Sequence, residues 1–171
     1  MLISVKRLVI GKGSVFADLL IIGEAPGLQE DLEGKPYVGK SGQLLNKLLN
    51  KAGINYKEDV YFCNVIKCRP PNNRKPTIKE INIHKPWLLQ QIKLVDPKVI
   101  ILTGSTAMRT VLEINCPISQ VRGEWFNKNG CNIITIFHPS YLLRFPSKGS
   151  EKPYDLTLRD LAKVSSKLNA L

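Results

Sequence analysis

The sequence predicts an α/β protein: a three-layer α/β/α sandwich around a central, mainly parallel four-stranded sheet. Two patterns predict it. Short continuous apolar runs recur along the chain, the form of strands buried on both faces. Segments with apolar residues at helical spacing separate them, and strands alternating with helices build a parallel sheet covered on both sides. With 171 residues the chain has the length of one domain. Residues 1–171 therefore read as a single unit, large enough to bury a core without disulfides.

The elements follow in order. Ala17–Ile22 (ADLLII) is a buried strand running into Gly23. Gln43–Ala52 carries Leu44, Leu45, Leu48 and Leu49 on one helical face. Val60–Ile66 is the second strand. Thr77–Val95 is a helix: Thr77 caps it, Glu80 three residues on completes a capping box, and Pro97 follows its end. Pro86 interrupts the pattern and predicts a short helix or turn ahead of the main one. Lys98–Leu102 is the third strand and Ser105–Leu112 a helix. Asn132–Phe137 is the fourth strand. The polar stretch Pro146–Pro153 connects to a last amphipathic helix, Asp155–Leu168.

Composition narrows the function classes. The 43% apolar content is ordinary for a globular protein and excludes general disorder. No apolar run approaches the ~20 residues of a membrane span. The opening MLISVKRLVIGKGS lacks the apolar core and cleavage site of a signal peptide, so a soluble, cytoplasmic protein without membrane partners is expected. Lys plus Arg number 25 against 14 Asp plus Glu, a net charge of +11 that points to a polyanion partner. Cys63, Cys68, Cys116 and Cys131 form no C-x-x-C pair and no zinc spacing, so free thiols are expected.

Gly34-Lys35-Pro36-Tyr37-Val38-Gly39-Lys40-Ser41 fits the Walker A pattern. A phosphate-binding loop of that kind needs a buried strand directly before it. Here Gln29-Glu30-Asp31-Leu32-Glu33 precedes, acidic and unlike a strand, and Tyr37 is bulky for a phosphate cradle. The nucleotide-binding reading fails on both counts.

In parallel sheets, sites form in loops beyond the C-terminal strand ends. Three such loops carry unusual residues: Gly23-Glu24-Ala25-Pro26-Gly27 after the first strand, Asn64-Val65-Ile66-Lys67-Cys68-Arg69-Pro70-Pro71 at the end of the second, and His138-Pro139-Ser140-Tyr141-Leu142-Leu143-Arg144 after the fourth. Together with Glu30-Asp31 and Gly34 to Gly42, these motifs resemble uracil-DNA glycosylases, most closely the family 4 type of bacteria and archaea. The resemblance runs from about Gly11 to the last helix.

It implies a monofunctional enzyme of DNA base excision repair. Such an enzyme hydrolyses the N-glycosidic bond of deoxyuridine in DNA, releasing free uracil and leaving an abasic site. It must flip the base out of the stack and read its Watson–Crick edge. Asn64 matches the base-reading Asn: its amide complements the O4 acceptor and N3–H donor of uracil and opposes cytosine. Tyr37 stands where the family has Phe, as a platform for the flipped base. His138 matches the motif histidine, donating a hydrogen bond to O2 of uracil as charge builds there. Glu24 is placed to orient the attacking water or stabilise the sugar cation, with Glu30 a second candidate. Ala25 and Gly27 complete the substrate pocket. For the DNA backbone the candidates are Lys40, Ser41, Lys67, Arg69, Arg74, Ser140 and Arg144, with Leu142 and Leu143 as an apolar wedge filling the gap left by the base. No Lys occupies a nucleophilic position, so no lyase step is implied.

The chain departs from the family at its iron–sulfur cluster. Residues 1–16 hold no Cys, His84 stands where the third cluster Cys is expected, and Pro97–Thr103 has none for the fourth. Cluster ligands are thiolates, so no cluster and no other metal is expected, with Trp87 and the N-terminal residues packing in its place. The expected protein is a monomer. Its rivals are a catalytically weak DNA-binding relative and a glycosylase preferring another deaminated base such as hypoxanthine.

Overall fold

A computed structural model describes residues 7–171. Residues 1–6, part of the stretch read for targeting signals and for packing in the cluster's place, lie outside the described residues. The strands are β1 (Lys12–Gly13), β2 (Leu19–Gly23), β3 (Val60–Asn64), β4 (Val99–Thr103), β5 (Trp125–Lys128) and β6 (Cys131–Ile136). The helices are α1 (Leu28–Glu33), α2 (Lys40–Lys51), α3 (Ile78–Val95), α4 (Ser105–Leu112), α5 (Ile118–Val121), α6 (Pro139–Arg144) and α7 (Pro153–Leu168).

One sheet holds all six strands in the order β1-β3-β2-β4-β6-β5. The four expected strands form its parallel centre. Two further strands, β1 and β5, add antiparallel edges. Both are short, and β5 is only partly buried, so neither leaves the long apolar run that marked the inner four.

Side chains alternate across the sheet. On one face Leu19, Ile21, Val60, Phe62, Val99, Ile101, Ile134 and Ile136 pack with Leu45, Leu48 and Leu49 of α2, Leu142 of α6 and Leu161 and Val164 of α7. On the other, Leu20, Ile22, Cys63, Ile100, Leu102 and Ile133 pack with Leu88 of α3 and Ala107 and Val111 of α4. The result is the predicted three-layer sandwich.

The helix at α3 is a single element, with Pro86 inside it rather than ahead of it. Proline frees the carbonyl four residues back; here that residue, Asn82, is exposed to water, as is Pro86. Thr77 and Glu80 form the expected capping box. Trp87 is 63% exposed, so it does not pack in place of a cluster. The Gly34–Ser41 segment is no phosphate-binding loop: Gly34 ends α1 in a left-handed turn, and a helix rather than a strand precedes it. No described helix is long and apolar enough to cross a membrane.

The strand order positions the site. From β2 the chain passes to β3 on one side, then crosses to β4 on the other. That reversal opens a crevice beyond the C-terminal ends of β2, β3 and β4.

Candidate active site

The crevice holds a cleft of about 280 Å³. Glu24, Ala25, Pro26 and Gly27 enter it from the end of β2, Asn64 from β3, and His138 and Ser140 from beyond β6. Tyr37, Ser41 and Gly42 close it from the start of α2, and Pro70, Asn73 and Arg74 form the opposite rim.

Asn64 is 4% exposed, yet no hydrogen bond joins its side-chain amide to another described residue. Buried amides are normally satisfied within the protein; this one borders the cleft. Gly23 leaves the room it needs: a Cβ there would lie 2.5 Å from Asn64 Oδ1 and 2.4 Å from the Tyr37 hydroxyl.

Tyr37 is held in a left-handed conformation, φ 57°. Gly42 permits it, since a Cβ at 42 would come within 2.4 Å of the Tyr37 backbone. The ring packs against Phe62 with centroids 5.1 Å apart. Its hydroxyl lies 3.1 Å from Thr103 Oγ1, and burial keeps the phenol protonated by pushing its pKa up.

His138 caps α6. The Ser140 N–H donates to Nδ1 at 3.2 Å, and the Ser140 hydroxyl lies 2.7 Å from the same nitrogen. With Nδ1 accepting, the neutral ring carries its proton on Nε2. Burial lowers the pKa of His138, opposed by the nearby Glu24 carboxylate. Burial, the larger effect, favours the neutral imidazole, and the contacts to Nδ1 leave Nε2 as its N–H donor. Ser140 thus serves the histidine, a role that its reading as a DNA contact did not include.

Glu24 accepts a hydrogen bond from the Thr106 hydroxyl at the start of α4 through Oε2. Its other oxygen makes no hydrogen bond to a described residue. Thr106 escaped the sequence reading because its motif, Gly104-Ser105-Thr106, looks like an ordinary helix start.

Three sequence expectations are corrected here. Glu30 lines the cleft but is no free base: its carboxylate accepts the N–H groups of Gly27 at 3.1 Å, Val38 at 3.0 Å and Gly39 at 2.7 Å. It fastens the α1 entry to the α2 entry. Lys67 is 3% exposed and faces inward, so it cannot reach a DNA phosphate. Leu142 is 2% exposed within the core, so it packs under α6 and is no wedge.

The remaining DNA candidates divide. Leu143, next in α6, is 45% exposed. Lys40 and Arg144 are exposed, and Ser41 faces the cleft. Arg69 donates to Asn73 Oδ1 through Nε at 2.7 Å, and its outer nitrogens make no hydrogen bond to a described residue. Arg74 is engaged by Glu80 through two 2.8 Å contacts, which hold the Glu80 carboxyl down at about 2. A second groove adjoins the cleft, sharing Glu24, His138 and Ser140, and brings Lys75, Arg109 and Arg144 together. Arg109 was missed because it sits mid-helix, outside any motif.

The described residues do not fit a four-thiolate cluster. The four cysteines are free thiols on β3, on the loop after it, beyond α4 and on β6. No three His, Cys, Asp or Glu side chains converge among the described residues.

Comparison with known proteins identifies the family. The family model described as Uracil DNA glycosylase superfamily matches residues 10–162. The Type-4 uracil-DNA glycosylase of Thermotoga maritima is 42% identical over 94% of this chain and 82% of its own. That of Archaeoglobus fulgidus is 37% identical over 85% of this chain and 76% of its own. A solution structure from Methanosarcina acetivorans shares the fold, with TM-score 0.55 and 18% identity over 91% of this chain and 98% of that one. The chain belongs to the uracil-DNA glycosylase superfamily, within its Type-4 branch, and is an enzyme of that class.

Proposed function

We propose that the cleft binds a deoxyuridine flipped out of DNA and hydrolyses its N-glycosidic bond, releasing uracil and leaving an abasic site. The observation that carries this reading is the Asn64 amide: almost buried, bordering the cleft, and unpaired with any described residue. Its NH₂ donates to O4 of uracil and its oxygen accepts from N3–H. Cytosine reverses both groups and leaves the amide unpaired. Such a mismatch of buried polar groups discriminates strongly.

In the reaction the C1′–N1 bond breaks and its electron pair leaves on uracil. The Nε2–H of His138 donates to O2, where negative charge accumulates, and the rigid Ser140 contacts hold the donor in place. Water adds its oxygen to C1′. Glu24, held through one oxygen by Thr106, uses the other to orient that water and to stabilise the sugar cation. The proton that water loses balances the one gained by the departing uracil. Tyr37 packs against the base. The groove with Lys75, Arg109 and Arg144 takes the flanking backbone phosphates.

The protein acts as a monomer; it carries no iron–sulfur cluster, since its thiols do not converge. Purified protein is expected to show no iron–sulfur absorbance and no stoichiometric iron; either finding overturns that part.

The function is tested with labelled oligonucleotides holding one central uracil or hypoxanthine, followed by alkaline cleavage and detection of the free base. Uracil release is expected to exceed hypoxanthine release. Release of hypoxanthine alone would assign another lesion. DNA binding without either product would mark a binding protein.

A further inference from the structure

Lys67 is the anomaly of this molecule. A lysine is seldom buried without a charged partner, and removing its ammonium from water is costly. Yet Lys67 is 3% exposed, and none of the ion pairs among the described residues includes it. Its partners are neutral. Nζ donates to the main-chain oxygen of Asn64 at 2.6 Å and to Oε1 of Gln91 on α3. Gln91 turns its own NH₂ to the Ile10 carbonyl at 2.8 Å. The Lys67 backbone is tied as well, its carbonyl to the N–H of Val9 at 2.8 Å and its N–H to Nδ1 of His84 at 3.4 Å.

This lattice stands at a particular place. Asn64 is the last residue of β3, paired with Gly23. Beyond it the ladder to β2 continues only through the N–H groups of Val65 and Ile66. The ammonium meets the chain where sheet pairing runs out and where the Asn64 amide must be aimed. Burial lowers the pKa of Lys67, in keeping with a charge that gains nothing from a carboxylate. The ammonium satisfies two acceptors, the Asn64 carbonyl and Gln91 Oε1, yet bears the desolvation cost of a charge without a counter-charge.

We propose that Lys67 is a positioning residue for base recognition: its buried ammonium, steadied by Gln91, clamps the Asn64 carbonyl and fixes the Asn64 amide against the uracil edge. The proposal rests on the reading of Asn64 as the base-reading residue. It makes the contact of α3 and the Ile10 segment part of the specificity device, although neither touches the cleft.

The test is the rate of uracil release and the uracil-over-cytosine preference, both under single turnover, in Lys67→Met. Methionine keeps an apolar stem and removes the charge. A small misplacement of a recognition group costs up to about 100-fold. The rate is expected to fall about 10- to 100-fold and the preference at least about tenfold, with the protein still folded at the assay temperature. Gln91→Glu, which keeps an acceptor for the ammonium but loses the donor to the Ile10 carbonyl, retains more of the preference than Gln91→Leu, which loses both. Should Lys67→Met unfold, the Gln91 pair decides: equal preference in the two Gln91 variants overturns the clamp. If the wild type releases uracil and Lys67→Met matches its rate and preference, the clamp fails and the reading of the cleft stands. If the wild type releases no uracil, both fail.

Discussion

Lys67 and Arg122 are both cations withdrawn from water, and the protein holds them in opposite ways. Arg122 faces Asp160 of α7 through Nε at 2.8 Å and through a second contact to the other carboxylate oxygen. The Asp160 side chain is fully buried and that of Arg122 only 17% exposed. Burial raises the pKa of Asp160, and the guanidinium opposes that rise. Neither residue lines the cleft. Lys67 has no carboxylate and lies directly behind Asn64. A compensated charge fastens a helix to the sheet. An ammonium held by neutral oxygens alone has no counter-charge to offset its desolvation, and it stands where the Asn64 amide must be oriented.

The comparison breaks most visibly at the fastening end. Arg122→Ala strands the buried Asp160 carboxylate and is expected to cost about 3–5 kcal/mol in denaturant unfolding. The folded fraction should keep its preference for uracil. A loss below about 1 kcal/mol would show that the pair contributes little beyond what water supplies.

At the cleft the expected effects are on rate rather than folding. His138→Ala is expected to slow single-turnover uracil release about 10²–10³-fold, the usual cost of an oxyanion donor. Loss of the α6 cap should lower its stability by about 1 kcal/mol, too little to unfold it. A loss under about tenfold would reduce His138 to that cap. Asn64→Asp is expected to lower the uracil-over-cytosine preference at least about tenfold, because a carboxylate accepts from the cytosine amino group. Unchanged rejection of cytosine would remove the edge-reading role.

The smallest effect concerns pH. His138 has a lowered pKa in the fold, so the unfolded state binds more protons between that value and about 6.5. Stability should therefore decline modestly as pH falls through this window, and His138→Gln should flatten the decline. The wild-type rate should hold through pH 6.5, because the ring stays neutral there, and fall only at more acidic pH. A rate that drops at pH 7 would mean that the histidine charges in its ordinary range.

Much of this was legible in the sequence because strands buried on both faces write continuous apolar runs. The four inner strands, the α3 capping box and the three site loops all followed from local pattern. The edge strands did not, since β1 has only two residues and both are exposed. Side-chain direction was the main loss. The sequence places Lys67 among basic residues and prolines, where a solvated loop is the natural reading; only the fold turns it inward. Leu142 and Leu143 are adjacent and alike, and the helical turn of α6 alone decides which is buried. Glu30 looked chemically free because backbone donors leave no trace in a sequence. Thr106 was invisible because its partner, Glu24, is far away in the chain.

The most direct measurement is a crystal structure of the protein with free uracil at saturating concentration. The base is expected in the cleft, its O4 and N3 edge on the Asn64 amide and its O2 about 2.7–3.2 Å from Nε2 of His138. Uracil bound elsewhere, or bound there with its edge turned away from Asn64, would contradict this reading.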